Sequence, residues 1–244
     1  MSITFGPTQD EVFTAIRSFL QYALPDLGEN IVQGQDNRVP ELKAENYVIM
    51  WPLFAPRLAT NANDYTDCVF TASIATTVLT VTAVNSSFTG RIGVGSTIFG
   101  TGVATGTKVT SLGTGTGGVG TYNINTLQTV ASRAMAAGTQ TLLQSVDFVV
   151  QIDAHGPEAQ NNALTVSTLF FDAVACDKFV ESGVDMAPLY IDNPRQMPFV
   201  NGEQQVEDRY TLTSHFQVNQ TLIIPQQYAD AITITLIDAD KVGA

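Results

Sequence analysis

Residues 107–124 read TKVTSLGTGTGGVGTYNI. Two runs rich in β-branched residues, Thr107–Leu112 and Thr121–Ile124, flank eight residues, Gly113–Gly120, of which five are glycine. Alternating β-formers on either side of a cluster that tolerates positive φ spell a β-hairpin. The stretch Gly115-Thr116-Gly117-Gly118-Val119-Gly120 also matches G-x-G-x-x-G. A dinucleotide site needs that loop to lead from a strand into a helix, whose N-terminus holds the pyrophosphate. Here it leads into Thr121-Tyr122-Asn123-Ile124-Asn125, a strand by composition. The motif therefore reads as a glycine-rich turn, and no cofactor is expected.

The same composition extends from Thr66 to Thr139. This stretch is packed with Gly, Thr, Ser and Val, and its charged residues are Asp67, Arg91, Lys108 and Arg133. Both flanks are normally charged. A further strand is expected at Leu79–Val84, with a tight connection at Gly90–Gly95, and Thr129–Ser132 returns the chain to the flanking sequence. Short strands at about ten-residue spacing argue for a small sandwich or barrel. Residues 66–139 thus read as an all-β domain inserted into a host made of residues 1–65 and 140–244. Insertions succeed at exposed loops whose ends lie close together.

The host reads as α+β: an antiparallel sheet of about four strands, one face of it covered by two helices. Thr8-Gln9-Asp10-Glu11 fits a capping box, and Val12, Ile16, Phe19, Leu20 and Ala23 follow at helical spacing up to Leu24-Pro25. Tyr47–Trp51 is a short apolar strand ended by Pro52. Asp147–Asp153 alternates as a strand. After Gly156 and Pro157 a helix runs through Ala159, Ala163, Val166, Leu169, Phe170 and Val174, and Gly183 closes a last helical piece. Tyr210, Leu212, Ser214, Phe216 and Val218 share one face of a long strand; Ile232, Ile234 and Leu236 share one face of the last.

Bulk properties narrow the function. The chain has 244 residues, 44% of them hydrophobic, and a formal charge of −12. That charge disfavours a protein that grips phosphates, which needs a basic face. The N-terminus shows no basic region followed by an apolar run, and no apolar stretch reaches the roughly 18 residues of a membrane helix. Cys68 and Cys176 sit in different modules, without CxxC or Cys/His clustering, and read as buried apolar thiols. No metal site is expected.

Candidate chemistry is sparse. The chain has two histidines, His155 and His215. Asp153 and His155 stand two apart at a strand end, where a catalytic pair is conceivable. The simpler reading has Asp153 capping the helix that starts at Pro157, with His155 half-exposed. His215 is out of phase with Leu212 and Phe216 and so reads as solvent-facing. Glu207 and Asp208 are neighbours on a strand and point to opposite faces, which does not suit a shared substrate. With Arg209 they form a charge cluster at a strand start. It is read as a candidate subunit interface, while an intramolecular pair between Arg209 and a host carboxylate has equal standing. No catalytic residue is assigned.

Two segments carry a resemblance. One is Gln151-Ile152-Asp153-Ala154-His155-Gly156-Pro157-Glu158-Ala159, followed by an Ala-rich amphipathic helix. The other is Gln205-Val206-Glu207-Asp208-Arg209-Tyr210-Thr211-Leu212, which opens a long strand. Together with the N-terminal helix and the Tyr47–Trp51 strand, they resemble the neck or tail terminator proteins of tailed bacteriophages, over residues 8–65 and 140–238. Asp153, Gly156, Pro157 and Arg209 are the motif positions. In similar sequences an aromatic often stands at the place of His155. Residues 66–139 resemble the Gly/Thr-rich β-modules of phage structural proteins. The resemblance implies a non-enzymatic virion protein that forms a ring, most simply a hexamer, at the neck–tail junction. Its implied partners are its own copies, tail tube and sheath proteins and the head–tail connector, with DNA passing an acidic lumen unbound. The rival expectation is an adhesion or carbohydrate-binding tail component that presents the β insert.

Overall fold

The computed structural model describes residues 4–34, 45–200 and 206–226. The chain is mostly β. In order it forms β1 (Thr4–Gly6), α1 (Gln9–Ala23), β2 (Ile31–Gln33), β3 (Tyr47–Phe54), β4 (Ala62–Val84), β5 (Val109–Leu112) and β6 (Gly120–His155). Then come α2 (Ala159–Phe170), α3 (Ala173–Glu181), β7 (Met186–Ile191), β8 (Arg195–Gln196), β9 (Phe199–Val200), β10 (Val206–Glu207) and β11 (Arg209–Pro225). The strand expected at Ile232–Leu236 lies outside the described residues. The chain divides into two compact units. One centres on Asn63–Thr141; the other holds Phe5–Ala62 and Leu142–Leu222.

In the second unit the strand order is β1-β11-β6-β3-β2, with β7 and β8 paired to β11. The sheet is mixed rather than antiparallel. β3 runs antiparallel to β6, with Tyr47 opposite His155 and Met50 opposite Ile152, but β2 lies parallel to β3. Pro52 does not end β3. β2 stops opposite Met50, so at Pro52 the outer edge has no β2 residue to receive an N–H, and a proline is tolerated there.

Among the described residues this unit carries three α-helices, not two. Thr8 caps α1: its Oγ1 accepts from Glu11 N at 3.3 Å, and Thr8 N donates to Glu11 Oε2 at 2.7 Å. The buried stripe Val12, Ile16, Phe19 and Leu20 then joins Val48, Met50, Val150, Ile152, Phe170, Phe179 and Phe216 in one core. The helix expected after Pro157 starts instead at Ala159 and is broken at Phe171. Asp172 Oδ1 accepts from Val174 N at 3.1 Å and so caps a separate α3. The apolar spacing runs through this break because both segments face the same core. Gly183, at φ +71°, ends α3 with its N–H on Val180 O.

The first unit has its own core, built on Phe70, Ile74, Leu79, Val81, Ile98, Tyr122 and Ile124. The strand expected at Thr121–Ile124 and the return segment Thr129–Ser132 are one continuous β6. Asn125 spends its amide across the ribbon. Its Oδ1 accepts from Lys108 N at 2.8 Å and its Nδ2 donates to Gly106 O at 3.2 Å. The ends of the Gly/Thr-rich segment meet, with Gln140 Nε2 3.3 Å from Tyr65 Oη. Cys68 is buried in this core, whereas Cys176, on α3, is exposed, contrary to expectation.

The G-x-G-x-x-G stretch joins two antiparallel strands, Leu112 lying opposite Tyr122. It wraps the buried Tyr122 hydroxyl, which accepts from Gly117 N at 3.0 Å and donates to Gly118 O at 2.7 Å. A Cβ at Gly115 would collide with the Tyr122 ring, so glycine is required there by close approach. Tyr122→Phe leaves both backbone groups without this partner. It should cost about 1–2 kcal/mol, read as a lower urea midpoint with an unchanged circular dichroism spectrum.

Candidate functional site

The alternation of β6 places Val150, Ile152 and Ala154 in the main core and sends Gln151, Asp153 and His155 to the other face. That second face is also covered. Asp153 is 1% exposed. Arg209, the first residue of β11, brings Nη2 to 2.6 Å from Asp153 Oδ2. Gln151 Nε2 lies 2.9 Å from each carboxylate oxygen. Arg209 thus makes an intramolecular pair with a host carboxylate. Asp153 does not cap the following helix: its oxygens are taken, and α2 has no side-chain cap.

His155 is 4% exposed rather than half-exposed. It stacks on Tyr47 of β3, ring centroids 4.5 Å apart and planes within 9°. Its Nδ1 is 3.3 Å from Glu207 Oε1 of β10. Burial pushes the imidazole below its ordinary value, while the nearby Glu207 and Asp153 carboxylates pull it up and the Arg209 cation pushes it down. The two neighbouring acids do point apart: Glu207 is half-buried against His155 and Asp208 is exposed. Asp208 contributes its backbone, its carbonyl accepting from Gly156 N at 2.9 Å. Gly156 sits at φ +97°, and a Cβ there would strike the Glu45 carbonyl. This turn therefore needs glycine. Pro157 follows it, exposed, and Asn46 Oδ1 accepts from Glu158 N at 2.9 Å.

A second constellation repeats the chemistry. His215, read as solvent-facing, is buried: its Nδ1 is 2.8 Å from Asp147 Oδ2, and its ring stacks 4.0 Å from that of Tyr190. Phase along β11 fixes which face His215 is on, but β7, with Tyr190 opposite His215, covers that face. Sequence reasoning missed Tyr47, Gln151, Asp147 and Tyr190. The available signal was the polar odd-numbered set Asp147, Gln151, Asp153 and His155 on one strand face. The serine beside His215, Ser214, donates its hydroxyl to Val150 O at 2.8 Å. These networks cross-tie strands: hydrogen bonds and ion pairs satisfy the polar groups that burial would otherwise penalise. Two open hollows, of about 530 Å³ and about 280 Å³, flank α1 and touch neither histidine. Among the described residues no group of His, Cys, Asp or Glu has the grouping of a metal site.

Removing Arg209 leaves a buried carboxylate with Gln151 as its remaining side-chain hydrogen-bond partner. Arg209→Ala should destabilise the chain by about 2–4 kcal/mol, the guanidinium being partly exposed. The pair Asp153→Asn with Arg209→Met should recover much of that loss in denaturant unfolding. For His155 the folded-state value is depressed, so the unfolded chain binds the proton more readily. Its contribution is complete above about pH 6.5 and is lost as pH falls below that. His155→Phe keeps the stack on Tyr47 and removes the proton, so the fall in melting temperature between about pH 7.5 and about pH 5.5 should shrink.

The model of the phage neck terminator protein family matches residues 111–240. The match begins inside the glycine-rich segment and takes in both histidines, their carboxylate partners and Arg209, but not Tyr47. The comparison with curated proteins returns no match. With more than half of its length matched, the chain belongs to the phage neck terminator protein family.

Proposed function

We propose that this chain is a structural virion protein that closes into a homo-oligomeric ring, most simply a hexamer, at the neck–tail junction, completing the tail and joining it to the head connector. The observation that carries this reading is membership of the neck terminator family. Two features support it. Both histidines lie in buried cross-ties rather than in an open pocket, as suits a part that bears load and does no chemistry. The net charge of −12 suits a lumen along which DNA slides without sticking. Tail tube and sheath proteins below and connector proteins above are the proposed neighbours.

We further propose that residues 66–139 form a peripheral, separable module, and that the α+β host with its covering helices is the part that assembles. The rival role, carbohydrate binding by this module, calls for exposed aromatic platforms. Of its four aromatic rings, Phe70 and Tyr122 are buried and Phe88 and Phe99 are half-buried. That favours the structural reading.

Light scattering of the purified protein, alone and with tail tubes, should give a multiple of the 26.1 kDa chain. Immunogold labelling of particles should mark the neck; label on fibres or on the distal baseplate defeats the proposal. A chain in which a short Gly/Ser linker replaces 66–139 should keep a cooperative unfolding transition and the same oligomeric number. Loss of that transition rejects the separable module.

A further inference from the structure

Two exposed apolar edges lie at opposite ends of the host part of β6. The first is the strap that continues β3. Phe54 lies opposite Val149, Arg57 bridges Val146, and Leu58 N donates to Ser145 O at 3.0 Å. Among the described residues this strap pairs with β6 on one side, and β2 does not reach it on the other. Phe54 is 59% exposed and Leu58 49%. Arg57 is exposed and is the one charged residue between Asn46 and Asn63.

The second edge is the ribbon of β9 and β10. It is a two-stranded sheet separate from the large one. Its cross-strand partners Val200 and Val206 are 59% and 76% exposed. A two-stranded ribbon is marginal by itself and gains by pairing with a third strand. Exposed Asp208 follows it directly; the nearby cation Arg195 is on β8, paired to β11 rather than on the ribbon. The ribbon is anchored beside Gly156 through the Asp208 carbonyl.

These two edges cannot meet within one molecule. Val146 and Gly156 are ten residues apart along an extended chain, about 30 Å. A single protomer therefore presents an apolar edge with a cation at one end and an apolar edge with an anion at the other. That is the arrangement of a head-to-tail contact between identical copies, which closes into a ring when the rotation permits.

We propose that the β9–β10 ribbon of one protomer docks along the 54–58 strap of the next, with Val200 and Val206 against Phe54 and Leu58 and with Asp208 facing Arg57. This rests on the ring reading above and names the contact that builds the ring. The complementary charges set register, and the apolar side chains supply the burial.

The test is a charge swap in the full chain, read by sedimentation. Arg57→Glu alone and Asp208→Arg alone should each weaken self-association roughly tenfold or more. The double variant should return to within about threefold of the original. Circular dichroism and melting temperature should stay nearly constant throughout, because the backbone bond of Asp208 does not use its side chain, whose one intramolecular hydrogen bond, from Gln196 Nε2, is exposed and long at 3.4 Å. If Asp208→Arg folds poorly, Val206→Asp on the exposed rim substitutes for it, and loss of assembly is again expected. An oligomer that persists unchanged through the single swaps overturns this interface and leaves the ring reading standing. A double variant no better than the singles also overturns it. A monomeric original protein, with and without tail tubes, overturns both.

Discussion

The second unit depends on how one carboxylate is kept out of water. Asp153 is buried on the face of β6 that turns away from the main apolar core, and its charge is met by Arg209 at 2.6 Å and by Gln151. An isolated buried carboxylate is prohibitive, so the elements that carry these partners are held in place by it. β11 must begin where Arg209 reaches β6. β10, which ends two residues before Arg209, must then lay Glu207 near His155. β3 must pair in the register that sets Tyr47 opposite His155 and stacks their rings. The apolar core beneath, with Phe19, Phe170, Phe179 and Phe216 in mutual ring contact, supplies most of the burial. The polar face fixes which strand stands beside which.

Much of this was legible from local patterns. The capping box at Thr8 and Glu11 is a short-range signal with a single geometric solution, and it formed as read. The alternation Leu212, Ser214, Phe216, Val218 located the buried face of β11, and the glycine spacing at 113–120 located a strand-to-strand turn. The misses have one physical cause. Phase along a strand says which side chains share a face but not whether that face is covered. His155 reads as half-exposed and His215 as solvent-facing because nothing local shows that Tyr47 and Tyr190 will be laid over them from strands remote in sequence. The pairing of Arg209 with Asp153 spans 56 residues and is likewise invisible to a window of ten. Pro52 was read as a stop because the openness of that stretch of edge is a property of β2, not of Pro52.

The charged and the apolar surfaces are segregated along the chain. Of the acidic residues, Asp67 alone falls within 66–139, beside three cations. That segment is therefore slightly positive while the remainder carries the whole negative excess. Repulsion between such acidic surfaces is screened over about 8 Å at physiological ionic strength, a distance comparable to one layer of side chains.

The meeting of Tyr65 with Gln140 has a kinetic meaning. Pairing β3 with β6 joins Phe54 to Val149, closing a loop of about ninety-five residues if the intervening chain is still unstructured. If the Gly/Thr-rich segment folds first, largely from contacts near in sequence such as the 109–124 ribbon, its two ends are already together. The loop left to close is then about twenty residues, and the entropic cost of closing it falls by roughly 1.4 kcal/mol. A segment of about seventy residues that folded first would then act on the folding chain as a clip and would not slow the pairing of the strands it separates.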